Sequence, residues 1–269
     1  MSSTAKALSL LSHFSSVRPE IGLSQMCRIA GRDKATTYRH LQALETAGFI
    51  EQNPATKHYR LGPAVMQLAH IREATVPRTE GAKPVIRALA DATGETAHVT
   101  VLSGHTLFAL CEHESPHHGI RAVIDLNSFP LHATASGLCA LAFGPADLMQ
   151  VAAADLHGFT PHTANDEQTL QKAIGRIRRS GFGRADGTYE VDVQGLSAPL
   201  FDHTGHFAGA VAVACVASRF HPELARTILS ELVIAARDIT HNWGGTIPAA
   251  VEAAWSATLS QSNILEPMS

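Results

Sequence analysis

The stretch Asp33-Lys34-Ala35-Thr36-Thr37-Tyr38-Arg39-His40-Leu41-Gln42-Ala43-Leu44-Glu45-Thr46-Ala47-Gly48-Phe49-Ile50-Glu51 decides the fold of the N-terminal region. Asp33 carries the short carboxylate that caps a helix start, and Gly48 is the residue type that ends one in a left-handed turn, so the pair brackets a helix over 34–47. At about 100° per residue, Leu41 and Leu44 fall on one side of that helix and Ala35, Tyr38, Arg39 and Gln42 on the other. The first side is apolar and faces a core. The second offers a cation and hydrogen-bonding groups to something outside.

Upstream, leucines at 8, 10 and 11 with Phe14 have the spacing of an amphipathic helix over 5–14, for which Thr4 is the expected N-cap. A second short helix is expected over 23–30, with Ser24 available as cap and Gly31 as its end. Three short helices with a glycine turn between the second and third make a helix-turn-helix. Downstream, 49–51 and 58–61 read as two short strands around the turn Asn53-Pro54, a β-hairpin wing. Val65, Leu68, Ala69 and Ile71 then have the spacing of a linker helix stopped by Pro77.

Charge separates along the chain. The first 62 residues hold eight basic and four acidic side chains, a net +4, whereas the whole chain is −3, so the remainder carries −7. A cationic head on an acidic body points to a polyanion at the head. Any small three-helix domain shows the helix pattern; the wing and the charge turn the reading toward double-stranded DNA. Arg39 suits guanine or phosphate, Gln42 adenine, and Tyr38 a phosphate or sugar. Lys34 and Thr36 sit where the helix N-terminus favours phosphate, and Lys57 and Arg60 on the wing suit phosphate or the minor groove. A merely solvated helix face would look the same residue by residue.

Beyond a helix over 79–92, ended by Gly94 and with Pro84 expected to limit its start, strands are expected over 96–102, 107–112, 119–124, 196–201 and 207–216. Helices are expected over 135–143, 167–180 and 222–241, with a polar loop between the first two. Grouped strands with short hairpins followed by helices give an α+β body. The expected domains are 1–62, a linker helix 63–78, a body 79–245 and an extension 246–269, partly helical or disordered. With 45% apolar residues and a mean hydropathy of +0.03, the chain has no run near the roughly 20 apolar residues a spanning helix needs. The N-terminus lacks a secretory pattern, so a cytoplasmic location and no membrane partner are expected. Cys27, Cys111, Cys139 and Cys215 form no C-x-x-C pair and read as small hydrophobes.

Several motifs in order resemble the IclR family of bacterial transcription regulators. In the head these are 7–11 with Phe14, Gly22-Leu23-Ser24, the run 34–50, and Tyr59-Arg60-Leu61-Gly62. In the body they are Thr93-Gly94-Glu95-Thr96, Leu131-His132-Ala133-Thr134-Ala135-Ser136-Gly137, Gly181-Phe182, and Leu196-Ser197-Ala198-Pro199-Leu200-Phe201-Asp202. The resemblance spans about 4–242. It implies a winged helix-turn-helix, a linker helix and a GAF-like effector-binding domain with an antiparallel sheet, working as a homodimer or dimer of dimers on an approximately palindromic operator. It also implies a small-molecule effector, for which a carboxylate is expected, and no cofactor.

By the same resemblance, the effector site falls on Ala135, Ser136 and Gly137 at a helix start, with Asp186, Gly195, Ser197, Ala212 and Ala214. Free N–H groups at the helix start and the Ser136 hydroxyl would anchor the acid. The chain departs from the family pattern at Leu138, where a lysine is common, and at Gly187-Thr188, where an acidic pair often stands. It departs again at Gly195, often a cysteine, and at Ala212 and Ala214, serines in some members. A less polar pocket for a larger or more aromatic acid is therefore expected. Two other readings stand beside this one. His113, His117 and His118, near Cys111, Glu112 and Glu114, suggest a metal-responsive regulator. Ser136 with a histidine and Asp186 suggests a hydrolase, although no G-x-S-x-G elbow is present.

Overall fold

The computed structural model describes residues 2–15, 18–75, 78–114, 117–122 and 129–261. Its contacts divide the chain after residue 77 into two units, 1–77 and 78–269.

In the first unit, α1 spans Ser3–Leu8 and a 3₁₀ turn spans Leu11–His13. The helix expected over 5–14 is therefore shorter and starts earlier. Ser2, not Thr4, caps it, accepting from the Ala5 N–H at 3.1 Å. Its far end breaks where the Ser9 and Ser12 hydroxyls bond back to the carbonyls of Lys6 and Ser9, offering the backbone an alternative to the helical ladder. α2 spans Leu23–Ala30 with Gly22, not Ser24, at its N-cap and no side-chain cap, and Gly31 closes it in the left-handed region.

α3 spans Lys34–Thr46, and Asp33 accepts from the Thr36 N–H at 2.8 Å as its cap. Gly48, at φ +75°, lets the N–H groups of Gly48 and Phe49 reach the carbonyls of Glu45 and Leu44, a Schellman closure. β1 (Ile50–Gln52) and β2 (Tyr59–Leu61) form the antiparallel wing, and Ile21 bridges to Tyr59. Leu10, Ile21, Met26, Leu41, Leu44, Ile50 and Tyr59 make the core. α4 follows as Pro63–Thr75; the expected stop, Pro77, lies outside the described residues.

In the second unit, α5 (Arg78–Thr93) begins six residues ahead of Pro84, whose ring lies on the exposed side and does not limit the start. Gly94 ends it at φ +72°. β3 (Thr96–Ser103), β4 (Thr106–His113), β5 (Gly183–Asp186), β6 (Val193–Phe201) and β7 (Phe207–Val216) form one antiparallel sheet in the order β4-β3-β7-β6-β5.

Alternation sorts the sheet's two faces. Ala97, Val99, Leu196, Ala198, Val211 and Val213 pack on α5 and α9 (Pro222–Asn242). The opposite face meets α6 (Ala135–Phe143), backed by α8 (Glu167–Ser180). The polar loop after α6 holds a short α7, Leu148–Ala153.

One expectation fails in this unit, and the helical part of another is located. Of the strand placed at 119–124, residues 119–122 join no ladder and the rest lies outside the described residues. Instead the carbonyl of Ile120 accepts from Arg219 and that of Ala122 from the Thr96 hydroxyl, so side chains replace strand pairing. The expected C-terminal extension contains α10, Ala249–Leu259, which belongs to the body core. Trp255 is 1% exposed, its indole N–H donates to the Gly181 carbonyl at 2.8 Å, and its ring lies 6.1 Å from that of Phe182. Among the described residues no helix is long and apolar enough to cross a membrane.

Candidate functional site

On α3, Thr37, His40, Leu41 and Leu44 are buried, while Lys34, Ala35, Tyr38, Arg39 and Gln42 are exposed. Thr36 is half-buried beneath its own N–H bond to Asp33, and that bond holds the Asp33 carboxyl below the usual carboxylate range, so the cap stays ionised. Gln42 donates to the Tyr38 hydroxyl at 3.0 Å, which fixes both side chains on the outer face.

A cleft of about 480 Å³ runs between the start of α2, α3 and the wing, lined among others by Arg28, Lys34, Tyr38, Lys57 and His58. Arg28 and His58 were not among the expected contacts. Arg28 sits on the helix preceding the turn, and His58 precedes a strand, so neither has a periodicity that singles it out. Lys57 is exposed at a wing turn with φ +60°, its N–H bonded to the Asn53 carbonyl. Arg60 differs from the other expected contacts: its Nε lies 2.6 Å from Glu51 and its guanidinium 3.8 Å from Glu20, so its charge is answered within the head.

In the body, a second site forms where α6 begins. Across the sheet, one row reads His98, Ala212, Ser197 and Gly183, and the next reads Thr96, Ala214, Gly195 and Ala185. Both rows lie on the face toward α6. At Gly183 a side-chain carbon would strike the Ser197 hydroxyl and the Ala135 carbonyl, so α6 reaches the sheet only because this residue is glycine. Beyond the helix start the small side chains leave a cavity of about 80 Å³, lined by His98, Phe129, Ser136, Tyr189, Gly195 and Ala214 among others.

Of the expected effector residues, Ala135, Ser136, Gly195, Ala212 and Ala214 line this cavity. Gly137, Asp186 and Ser197 do not. Gly137 turns toward the carbonyl of Pro130 and Leu131, and its N–H is taken by the Thr134 hydroxyl at 3.0 Å. Thr134 is thus the cap of α6. Ser197 is fully buried and donates to the Ala135 carbonyl at 2.8 Å, a bond that ties helix to sheet. Asp186 is exposed on the outer strand, bonded by Gln194 and 3.3 Å from Arg184.

The residues that sequence reasoning missed are the ones that close the cavity: His98, Phe129, Tyr189 and Glu190. His98 stands on a strand among apolar neighbours, a pattern with no functional signal. Tyr189 is placed by the loop before it. The Thr160 and Thr163 hydroxyls donate to the carbonyls of Gly187 and Thr188, each at 2.6 Å, and Phe159 meets the Tyr189 ring edge-on at 5.0 Å.

Ala212 and Ala214 present no polar side-chain group to the cavity, and Phe129, Tyr189 and His98 give it aromatic walls.

The imidazole of His98 is buried and its pKa is lowered to about 4 by desolvation. Its Nε2 lies 3.4 Å from the Ser136 hydroxyl, and its Nδ1 has no hydrogen-bond partner. The pair therefore lacks the third group that orients the base in a hydrolytic triad, and Asp186 lies elsewhere. Among the described residues no three histidine, cysteine, aspartate or glutamate side chains converge to hold a metal ion; the 113–118 loop runs partly outside those residues. All four cysteines are free, and burial pushes the Cys139 and Cys215 thiols up to about 12.

Residues 74–241 match the family described as bacterial transcriptional regulator IclR C-terminal, and residues 3–54 match the IclR helix-turn-helix domain. The chain is 26% identical over 223 residues to the HTH-type transcriptional regulator XynR of Escherichia coli, covering 81% of this chain and 87% of that one. It superposes on the crystal structure of an IclR transcriptional regulator from Silicibacter sp. TM1040 with a TM-score of 0.87 and 36% identity, over 93% of this chain and 99% of the other. An IclR homolog from Microbacterium hydrocarbonoxydans, complexed with 4-hydroxybenzoate, shares the fold at a TM-score of 0.67 and 21% identity, over 90% and 99%. With both domains matched in order, and with an exposed polar face on α3 in the one and a cavity beside α6 in the other, this chain belongs to the IclR family of bacterial transcriptional regulators.

Proposed function

We propose that this regulator binds, as a dimer or dimer of dimers, an approximately palindromic operator, and that a small carboxylic acid held in the body cavity alters that binding in the cytoplasm. The observation that carries the DNA half is the sorting of α3: its apolar residues are sealed in the head core while Arg39 and Gln42 are exposed on the other side, on the helix that gives Lys34 and Tyr38 to the cleft shared with Arg28 and Lys57. Arg39 and Gln42 then address base edges, Lys34, Thr36, Tyr38 and Lys57 address phosphates, and Ala35 allows close approach. Arg60, engaged by Glu51, sets the wing rather than supplying a free cation. The exposed Met66, Leu68 and Ile71 on α4 support pairing with a second copy.

For the effector half, the N–H groups of the first turn of α6 and the Ser136 hydroxyl favour an anion. The lining of alanines and aromatic rings favours an acid with an apolar body. The acid acts by favouring one arrangement of the protein over another.

The test is selection of bound sequences from a random duplex pool by the full-length protein, with and without small monocarboxylates. Enriched half-sites related by a dyad, about 10 base pairs or a multiple apart, are expected. A pool with no two-fold enrichment would refute the operator reading.

A further inference from the structure

Among the described residues neither lysine nor arginine lines the body cavity, and the carboxylate that does, Glu190, is exposed at the rim. An acid that leaves water as an anion keeps the attraction of the α6 N-terminus, yet one of the first-turn N–H groups, that of Gly137, is already taken by Thr134. A carboxylate in such surroundings lacks a full counter-charge, and burying one unpaired is costly.

His98 is the group that can supply the charge. It is 5% exposed, it lines the cavity together with Ser136 and Phe129, and its ring lies 5.5 Å from that of Phe129. A buried polar atom without a partner is uncommon and calls for an explanation, and Nδ1 of His98 is such an atom. Around it, among the described residues, β4 pairs the exposed Glu112 with it, β7 presents Ala212, α6 presents Ser136, Phe129 presents its ring, and across the cavity stand Tyr189 and Glu190; residues 123–128, which include Asp125, lie outside the described residues. Among the described residues none is an ion-pair partner of His98, and burial keeps its ring neutral.

We propose that the cavity takes up its carboxylate together with one proton, which binds His98, so that the ligand is held as an imidazolium–carboxylate pair. In that state both ring nitrogens are donors. Nε2–H is directed to the Ser136 hydroxyl, 3.4 Å away, and Nδ1–H gains in the ligand the acceptor it lacks. The proton comes from solvent, one N–H bond forms on the ring, and no other bond is made or broken. The proposal rests on the carboxylate reading of the cavity given above and adds the proton. Its physical consequence is that the regulator senses the acid and the pH jointly.

The experiment is isothermal titration of the full-length protein with acetate, propionate, lactate and pyruvate, in PIPES and in bis-Tris, from pH 6 to pH 8. For an acid that binds, the buffer dependence of the heat should report uptake of about one proton, and affinity should fall about tenfold per pH unit while the complex stays protonated. His98→Asn keeps a hydrogen-bonding side chain and removes the titration, so uptake and pH dependence should both vanish. Imidazole ¹⁵N shifts of the wild-type complex give a second readout that needs no variant: His98 should change from the neutral to the imidazolium pattern when the acid is added at pH 6.5. Binding without proton uptake, or uptake that persists in His98→Asn, overturns the proposal while leaving the carboxylate site standing. Failure of every acid to bind overturns the site itself.

Discussion

Replacing Arg219 by methionine would remove the partner of a buried carboxylate and the donor to the Ile120 carbonyl. The Glu95 side chain is 2% exposed and Arg219 24%, so solvent screens little of their interaction. Arg219 meets both oxygens of Glu95 at 2.6 Å and donates a third bond to the Ile120 carbonyl at 2.9 Å. Those two bonds to Glu95 are also what raises the Arg219 pKa. Breaking a buried pair from one side costs about 3–5 kcal/mol, chiefly because the remaining charge is stranded; the Ile120 bond accounts for about 1 kcal/mol of it.

Both tryptophans, Trp243 and Trp255, lie in the body, so tryptophan fluorescence during urea unfolding reports that unit. Arg219→Met should lose about 3–5 kcal/mol at pH 7, and adding Glu95→Gln should restore at least about 2 kcal/mol. A loss below about 1 kcal/mol at pH 7, or strict additivity in the double variant, would refute the reasoning.

Arg39→Ala should weaken binding to duplex DNA and make the slope of log affinity against log salt shallower by about 0.9, read by fluorescence anisotropy; an unchanged slope removes Arg39 from the phosphate contacts. Trp255→Ala should destabilise the body by about 3–5 kcal/mol in a calorimetric or urea melt, because it empties a fully buried site and frees the Gly181 carbonyl. In the free protein, His98 is neutral when folded and protonates near 6.5 when unfolded. Stability should therefore fall as the pH drops from about 6.5 toward 4, by at most about 3 kcal/mol, and His98→Leu should flatten that part of the pH profile of urea unfolding.

The head was legible because its signals are local. Asp33 and Gly48 lie a helix apart in sequence and bond to backbone groups three or fewer residues away, so cap chemistry alone marks α3. The same local reasoning placed α6, α8 and β7 within their observed bounds. It failed where long-range contacts decide the structure. Residues 119–122 have strand composition but are held by Arg219 and Thr96, which lie 99 and 26 positions away from the carbonyls they hold. α10 has a weakly patterned alanine-rich sequence, and what fixes it is Trp255 reaching Gly181, 74 positions back.

The effector site divides along the same line. Helix periodicity and capping put Ser136 at a helix start from the sequence, and the resemblance to a family supplied Gly195, Ala212 and Ala214. Whether a residue faces the cavity depends on strand register and on the approach of α6 to the sheet. That approach turned Gly137 and Ser197 into packing and left Asp186 on the rim of another face. His98 and Tyr189 carry no local mark of their role, because a cavity is a property of elements brought together across the sheet. The sequence by itself determined the elements, the cationic head and the exposed side of α3, all set by contacts within a few residues. Only the tertiary structure decided which side chains enclose the cavity and which buried nitrogen was left without a partner, since those follow from contacts between segments remote in the chain.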